Sequence, residues 1–306
     1  MQVLAVVAGG GGVTSIAGYF GGGYDGNRIS GIDKLTFATQ VKSTLADTLT
    51  AAKWQLGAMA DSGVAGYFGG GNTTVAVNQV DKIAFPSDTK STTTALSSAR
   101  QRTAGFANSG VAGYFAGGFS GVYISTADKY VFPGDTTSTI SGVLITGKQD
   151  HGAFANSGVA GYVGGGLNSS EANTSSIDKL LFSNDTSSAL GETLTTATTA
   201  LRGFANSGVA GYFAGGRDSG GTLSRIDKVS FPGDTKSTTT SLSTAVSEHS
   251  SAADTGVAGY IGGGDGGGEL NIIQKIVFPS DTVSTIAAVL SSNRRYLAGM
   301  ADCGVF

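Results

Sequence analysis

Hydrophobic residues in this chain come in short runs, each bounded by glycine, Asn-Ser-Gly or Pro-Gly-Asp. One stretch shows the pattern complete. Gly203-Phe204-Ala205 leads through Asn206-Ser207-Gly208 into Val209-Ala210-Gly211-Tyr212-Phe213-Ala214-Gly215-Gly216. After a variable segment come Ile226-Asp227-Lys228-Val229-Ser230-Phe231, the turn Pro232-Gly233-Asp234-Thr235, and a Ser/Thr-rich segment from Lys236 to Ala245. Runs this short, punctuated by these residues, are strands and turns. No segment sustains the 3.6-residue apolar period of an amphipathic helix.

The same phrase returns six times. Its tyrosines, Tyr19, Tyr67, Tyr114, Tyr162, Tyr212 and Tyr260, stand 48, 47, 48, 50 and 48 residues apart. A fixed period of this size specifies an array of like units, and four strands per unit fit the blade of a β-propeller. The expected fold is all-β: six four-stranded antiparallel blades, with strands a to d running from the axis outward. Strand a (Gly-Phe-Ala) is built of small residues that let blades crowd together. Strand b closes in Gly-Gly, where a side chain cannot fit or φ must be positive. The chain ends in a strand a, Leu297-Ala298-Gly299-Met300-Ala301, with no strand b after it. Its first full copy, from Ile16, is a strand b with no strand a before it. Pairing of these N- and C-terminal strands would close the ring and remove its open edges. Residues 13–306 then form a single propeller, and residues 1–12 are an N-terminal extension or extra strand.

Arg100 and Arg294 stand before strand a, and all six diglycines are present. In these features the chain resembles the kelch repeat. It departs where kelch strands d usually carry a tryptophan, since this chain has Ser or Thr there and its single tryptophan is Trp54. More narrowly, Gly66-Tyr67-Phe68-Gly69-Gly70-Gly71, Val80-Asp81-Lys82 and Pro86-Ser87-Asp88-Thr89 are similar to the wording of kelch-like proteins of tailed phages. That resemblance implies a virion protein of the tail or tail-fibre type, used for adhesion or assembly. Its partners would be other virion proteins or a host-surface glycan, and its location the virion, with an extracellular protein as the alternative. Kelch propellers mostly bind.

Composition narrows the remaining classes. Glycine is 50 of 306 residues and proline only 4, but the glycines sit in register and not in a collagen period. Charged residues are 13 % and the net charge is −3, so nothing favours binding to nucleic acid or to an anionic membrane surface. No apolar run reaches the ~20 residues of a membrane span. The apolar residues 3–8 lack a preceding Lys or Arg, unlike a secretory signal. A single cysteine, Cys303, rules out an intrachain disulfide.

Few residues invite chemistry. Two histidines and one cysteine cannot make a zinc or copper site, and no Ser-His-Asp set assembles. The triple glycines lack the Lys-Ser/Thr of a phosphate loop. We therefore expect no catalytic residue, metal or cofactor. Asp150 and Glu248 are the nearest thing to the carboxylate pair a polysaccharide-active enzyme would need.

Two sets of positions recur. Lys34, Lys82, Lys129, Lys179, Lys228 and Lys275 hold one place in strand c. Asp33, Asp81, Asp128, Asp178 and Asp227 precede five of them, and Gln274 the sixth. Adjacent strand residues face opposite ways, so each Asp should meet one neighbouring blade and each Lys the other. The turn residues Asp88, Asp135, Asp185, Asp234 and Asp281 read as local Asx turns, and Asn108, Asn156 and Asn206 as left-handed turn residues.

The diversity lies elsewhere. Segments 24–31, 72–79, 119–126, 167–176, 217–225 and 265–271 all connect strands b and c, and they share a face with the d–a loops. Loop diversity on a repeated scaffold is where binding sits. On that face Lys53, Trp54, Arg100, Arg102, Lys148, Arg202, Arg294 and Arg295 should gather at the channel mouth, with exposed Tyr24, Tyr123 and Tyr296. Basic groups among aromatics suit an acidic glycan or a protein surface. A lectin-like propeller is the first alternative to the virion reading.

Overall fold

A computed structural model describes residues 16–302, so the expectations for residues 1–12 and for Cys303 lie outside the described residues. Six four-stranded antiparallel sheets stand around one axis, and no helix occurs among the described residues. The inner strands a are Gly57–Asp61, Ala104–Asn108, Gly152–Asn156, Arg202–Asn206, Ser250–Asp254 and Ala298–Ala301. The last of these belongs to blade 1. It pairs with Ala17–Gly21 in the register Gly18↔Ala301 to Gly21↔Ala298, and Asp302 Oδ1 accepts a hydrogen bond from the Ala17 amide at 2.9 Å. The ring is thus closed by its two chain ends.

Burial follows position in the blade. Strand b is buried along its whole length in five blades and in the sixth up to its last residue, Asp265, because each sheet is sandwiched between two others. Strand d, the outermost, is mostly exposed, which is why it is written in Ser and Thr. Within strand b, alternation sends tyrosine to the following blade and its neighbour to the preceding one. Phe68, Phe115, Phe213 and Phe20 each press on the last glycine of the preceding strand b. A Cβ there would lie 2.7 Å from the ring at Gly21 and Gly69, 2.6 Å at Gly164 and 3.0 Å at Gly262. Where that glycine becomes Ala116 or Ala214, the opposing side chain shrinks to Val163 or Ile261. A larger residue on one side of the seam is thus met by a smaller one on the other, as close packing demands.

Five of the six strand c lysines lock their blade to the next. Lys34 meets Asp88 at 2.7 Å, and Lys82–Asp135, Lys129–Asp185, Lys179–Asp234 and Lys228–Asp281 lie at 2.5 to 2.6 Å. The other oxygen of each aspartate accepts a hydrogen bond from Tyr19, Tyr67, Tyr114, Tyr162 or Tyr212 at 2.7–2.9 Å. This corrects the Asx-turn reading. The turn aspartates stand at φ 52–58°, and their carboxylates are spent on the preceding blade and not on local amides. The asparagines differ from expectation too. Gly110, Gly158 and Gly208 take the positive φ, while Asn108, Asn156 and Asn206 accept amide hydrogen bonds from the next blade's turn at 2.8–3.0 Å.

Candidate functional site: the variable mouth of the axis

Four of the basic residues assigned to the mouth are not available there. Lys53, Arg100, Lys148 and Arg294 are at most 1 % exposed. They pair with the strand c aspartates of the next blade: Lys53–Asp81 and Lys148–Asp178 at 2.9 Å, Arg100–Asp128 at 3.2 Å, Arg294–Asp33 at 2.8 Å. A charge taken out of water needs a partner, and these are the partners of buried aspartates. Asp33 also accepts from the Ser291 amide and hydroxyl. Burial would raise its carboxyl pKa, but those bonds and Arg294 hold it below the usual range. The remaining two seams keep the same charge logic. At the fifth blade the cation place is Thr198, and Arg225 reaches in from the b–c loop to meet Asp227 at 3.4 Å. At the sixth it is apolar Val246, and the aspartate is replaced by neutral Gln274, which bonds the Thr244 backbone at 2.9 and 3.1 Å. Each Asp therefore faces the preceding blade and each paired Lys the following one.

Two residues beyond each cation place, the d–a loops build a ring of backbone hydrogen bonds around the axis. Gln55 N donates to Tyr296 O at 2.8 Å, Arg102 to Gln55 at 2.6 Å, and Asp150 to Arg102 at 3.2 Å. Ala200 donates to Asp150 at 2.7 Å, Glu248 to Ala200 at 2.9 Å, and Tyr296 to Glu248 at 2.6 Å, closing the circle. All six residues adopt φ of 54–58°. Glycine is the natural residue for that conformation, and a side chain there costs about 1–2 kcal/mol. Yet no position in the ring is glycine, and all six differ. Chemical diversity at six equivalent, strained places contrasts with the near-identity of the rest of the repeat.

Their side chains form one electrostatic group. Arg102 pairs with Asp150 at 3.0 Å; Glu248 meets Arg295 at 3.5 Å and Arg217 at 3.6 Å. Burial pushes the Asp150 carboxyl above its ordinary range against the pull of Arg102, Arg202 and Arg217. Glu248 is likewise pushed up by burial, opposed by a hydrogen bond from Tyr296 and by Arg295 and Arg217, and it senses the Asp150 charge. Half-buried Arg202 faces both carboxylates, and burial lowers its pKa. Asp150 Oδ1, Glu248 Oε2, Gln149 Oε1 and the indole N–H of Trp54 are buried without a hydrogen-bond partner.

An aromatic cluster flanks this group. Trp54 lies 5.0 Å from Tyr24 and 5.0 Å from Tyr296, edge-on to the latter, and Arg295 sits 5.9 and 5.7 Å from the two tyrosines. Arg295 also meets Asp265 at 2.9 Å and Glu269 at 3.4 Å. Tyr24, Tyr123 and Tyr296 are half-buried, not exposed as expected, because they pack on these neighbours. Tyr123 stands apart from the cluster, edge-on to Phe119 at 5.3 Å in the b–c loop of blade 3. The loops are tied into one surface by bridges such as Tyr24↔Arg295, Trp54↔Asn72, Gln101↔Phe119 and Thr199↔Arg217.

Below the ring the inner strands stand close together beside the mouth. A cavity of about 30 Å³ among Leu56, Gly57, Thr103, Arg202, Gly203 and Gly299 has room for about a water, and a larger one of about 700 Å³ opens among the a–b turns at Ser62, Asn108, Asn156, Ser207 and Thr255. Glycines keep the inner strands close; a Cβ on Gly57 would meet Thr103 of the next blade at 3.0 Å. The ring escaped the sequence reading as a site because its members are unlike one another. The usable signal was that unlikeness, always two residues after the cation place. Among the described residues no group of three or more His, Cys, Asp or Glu is placed to hold a metal ion.

No protein-family model and no curated protein matches the chain. Among solved structures, YjhT aligns over 87 % of this chain and 96 % of its own, with a TM-score of 0.69 and 13 % identity. At that identity the likeness is one of fold: the chain is a six-bladed β-propeller.

Proposed function

We propose that this protein is a non-enzymatic adhesion propeller of a phage virion, of the tail or tail-fibre type, that seats a host-surface glycan over the variable mouth. The observation that carries the reading is the ring of Gln55, Arg102, Asp150, Ala200, Glu248 and Tyr296, where six different side chains occupy a backbone conformation that favours glycine. Strain retained at equivalent places in a repeat marks a site whose side chains are used. Beside it, the Tyr24–Trp54–Tyr296 cluster supplies the apolar ring faces on which sugars stack, and Arg102, Asp150, Glu248 and Arg295 supply the polar edge. The virion assignment rests on the kelch-like phage wording of the repeat. A polysaccharide-active enzyme is the second reading, favoured by one observation: Asp150 and Glu248 are both held above the ordinary carboxyl range by burial, and the Asp150 charge acts on Glu248.

Trp54, the only tryptophan, reports on this mouth. Purified protein screened against host-type polysaccharides should change its tryptophan emission on binding, and Tyr24→Ala and Tyr296→Ala should each weaken binding at least tenfold. Product release from the bound polysaccharide, lost in Glu248→Gln, would replace adhesion by catalysis. Binding unaffected by either tyrosine substitution would remove the mouth as the site.

A further inference from the structure

Five seams of the ring carry the Tyr–Asp–Lys lock, and the sixth, between blades 6 and 1, lacks one member. Tyr260 and Lys275 hold the same places as their counterparts. The Lys275 ammonium lies 5.7 Å from the Tyr260 ring, against 5.2–5.6 Å in the other five blades. The turn residue that should complete the lock is Gln40. Its backbone is already in the required conformation, with φ 54° against 52–58° for the five aspartates. Its side chain carries no charge, and it makes no hydrogen bond to either group. Tyr260 is fully buried with its hydroxyl unpartnered, and Lys275 has no ion pair within 4.0 Å among the described residues.

One carboxylate does face Lys275: that of Asp254, at the end of strand a, which burial pushes up and Lys275 pulls down. It does not substitute for the missing group. Lys82 is faced by Asp61 in the equivalent place and still binds Asp135 at 2.6 Å. Lys34 is faced by Asp302 and still binds Asp88 at 2.7 Å. The strand a carboxylate adds to the turn carboxylate and leaves the Tyr260 hydroxyl without an acceptor.

We propose that the seam between blades 6 and 1 is a binding site for a carboxylate, supplied by a small organic acid or by an acidic side chain of another protein. One carboxylate oxygen accepts from the buried Tyr260 hydroxyl and the other takes the Lys275 ammonium, as Oδ1 and Oδ2 of the five internal aspartates do. The internal copies define the ligand chemistry: a planar anion with two oxygens, small enough to enter between blades.

The test uses the full chain and sodium formate, with sodium chloride at equal ionic strength as control. Formate should raise the melting temperature saturably, by about 2–4 °C beyond chloride, through preferential binding to the folded state. Gln40→Asp, which supplies the carboxylate from within, should raise the melting temperature without formate and abolish the response. Tyr260→Phe should abolish the response without supplying a carboxylate. Independently of stability, acetylation of Lys275 by a mild reagent should slow several-fold in formate but not in chloride. An Asp-containing peptide that competes with formate would identify a protein source; formate binding without peptide binding would identify a free acid. Equal responses to formate and chloride, or a formate response that survives in Gln40→Asp, would overturn the proposal.

Discussion

Replacing Lys53 by valine would isolate the charge logic of the blade seams. Lys53 is fully buried, its only charged partner within 3 Å is Asp81, and burial already lowers its pKa. Asp81 keeps hydrogen bonds from the Thr50 amide and hydroxyl at 3.1 and 2.5 Å, and the partly exposed Lys90 stands 4.0 Å away, so its charge is only partly offset once Lys53 is gone. Breaking a buried pair by removing one partner costs about 3–5 kcal/mol. At roughly 2–3 °C per kcal/mol, the melting temperature of Lys53→Val should fall by roughly 6–15 °C. The double variant Lys53→Val/Asp81→Gln copies Val246 and Gln274, a neutral pair the protein already uses at the blade 5–6 seam. It should return to within about 1 kcal/mol of wild type, since replacing both members of a buried pair is near neutral. Urea unfolding at pH 7, followed by circular dichroism and by Trp54 emission, reads all four corners of the cycle. A single variant within 1 kcal/mol of wild type, or a double variant as unstable as the sum of the two singles, would refute the argument.

Three further outcomes are expected. Deleting residues 297–306 removes strand a of blade 1 and exposes the edge of Ala17–Gly21, so the truncated chain should aggregate; a soluble monomer with unchanged melting temperature in light scattering would sink ring closure. His249 is buried with neither ring nitrogen partnered, and burial holds its pKa down at about 3. The unfolded chain takes up that proton first, so stability is lost as pH falls below about 6.5, by about 1.4 kcal/mol per unit. Asp302, pushed up to about 6 by burial, acts oppositely, gaining stability as pH falls through 6, but it does so equally in both proteins compared. His249→Leu should therefore flatten the stability difference between pH 6.5 and 4.5 by about 2–3 kcal/mol, read from urea midpoints. Val163→Phe should clash with the Cβ of Ala116 and cost about 1–3 kcal/mol, and adding Ala116→Gly should recover most of it, because Phe facing Gly is the pairing at four other seams.

Much of the fold was legible because it is written six times. The tyrosine period gave the blade, and the orphan strands at residues 16–23 and 297–301 gave the blade count and the closing pair. What single-chain reading could not supply was direction across a seam. Arg100 and Arg294 look like mouth residues by their place before strand a, but the loop turns them inward to the aspartate two strands away in the next blade. Asp88 looks like a turn residue because it is one, yet its carboxylate serves Tyr19 and Lys34, more than fifty residues away in sequence. Local spacing carries backbone conformation well and says little about which neighbour a long side chain meets.

Departures from the repeat sort into two kinds, and the difference points to function. Some are answered within the chain. Val246 comes with Gln274, Thr198 with Arg225, Ala116 with Val163, and Ala214 with Ile261. Each keeps charge or volume balanced across a seam, so each is explained by folding alone. Others have no internal answer. Gln40 leaves the buried Tyr260 hydroxyl without a hydrogen bond, and in the ring Asp150 Oδ1 is buried without one, in a strained backbone that glycine would relieve. Buried polar groups are almost always satisfied, so an orphan that the fold itself could have removed calls for a reason, whether a bound water, strain or a ligand. The mouth ring and the blade 6–1 seam are thus departures that the rest of the repeat does not balance, and on the two readings proposed above they are the places through which this propeller would meet other molecules.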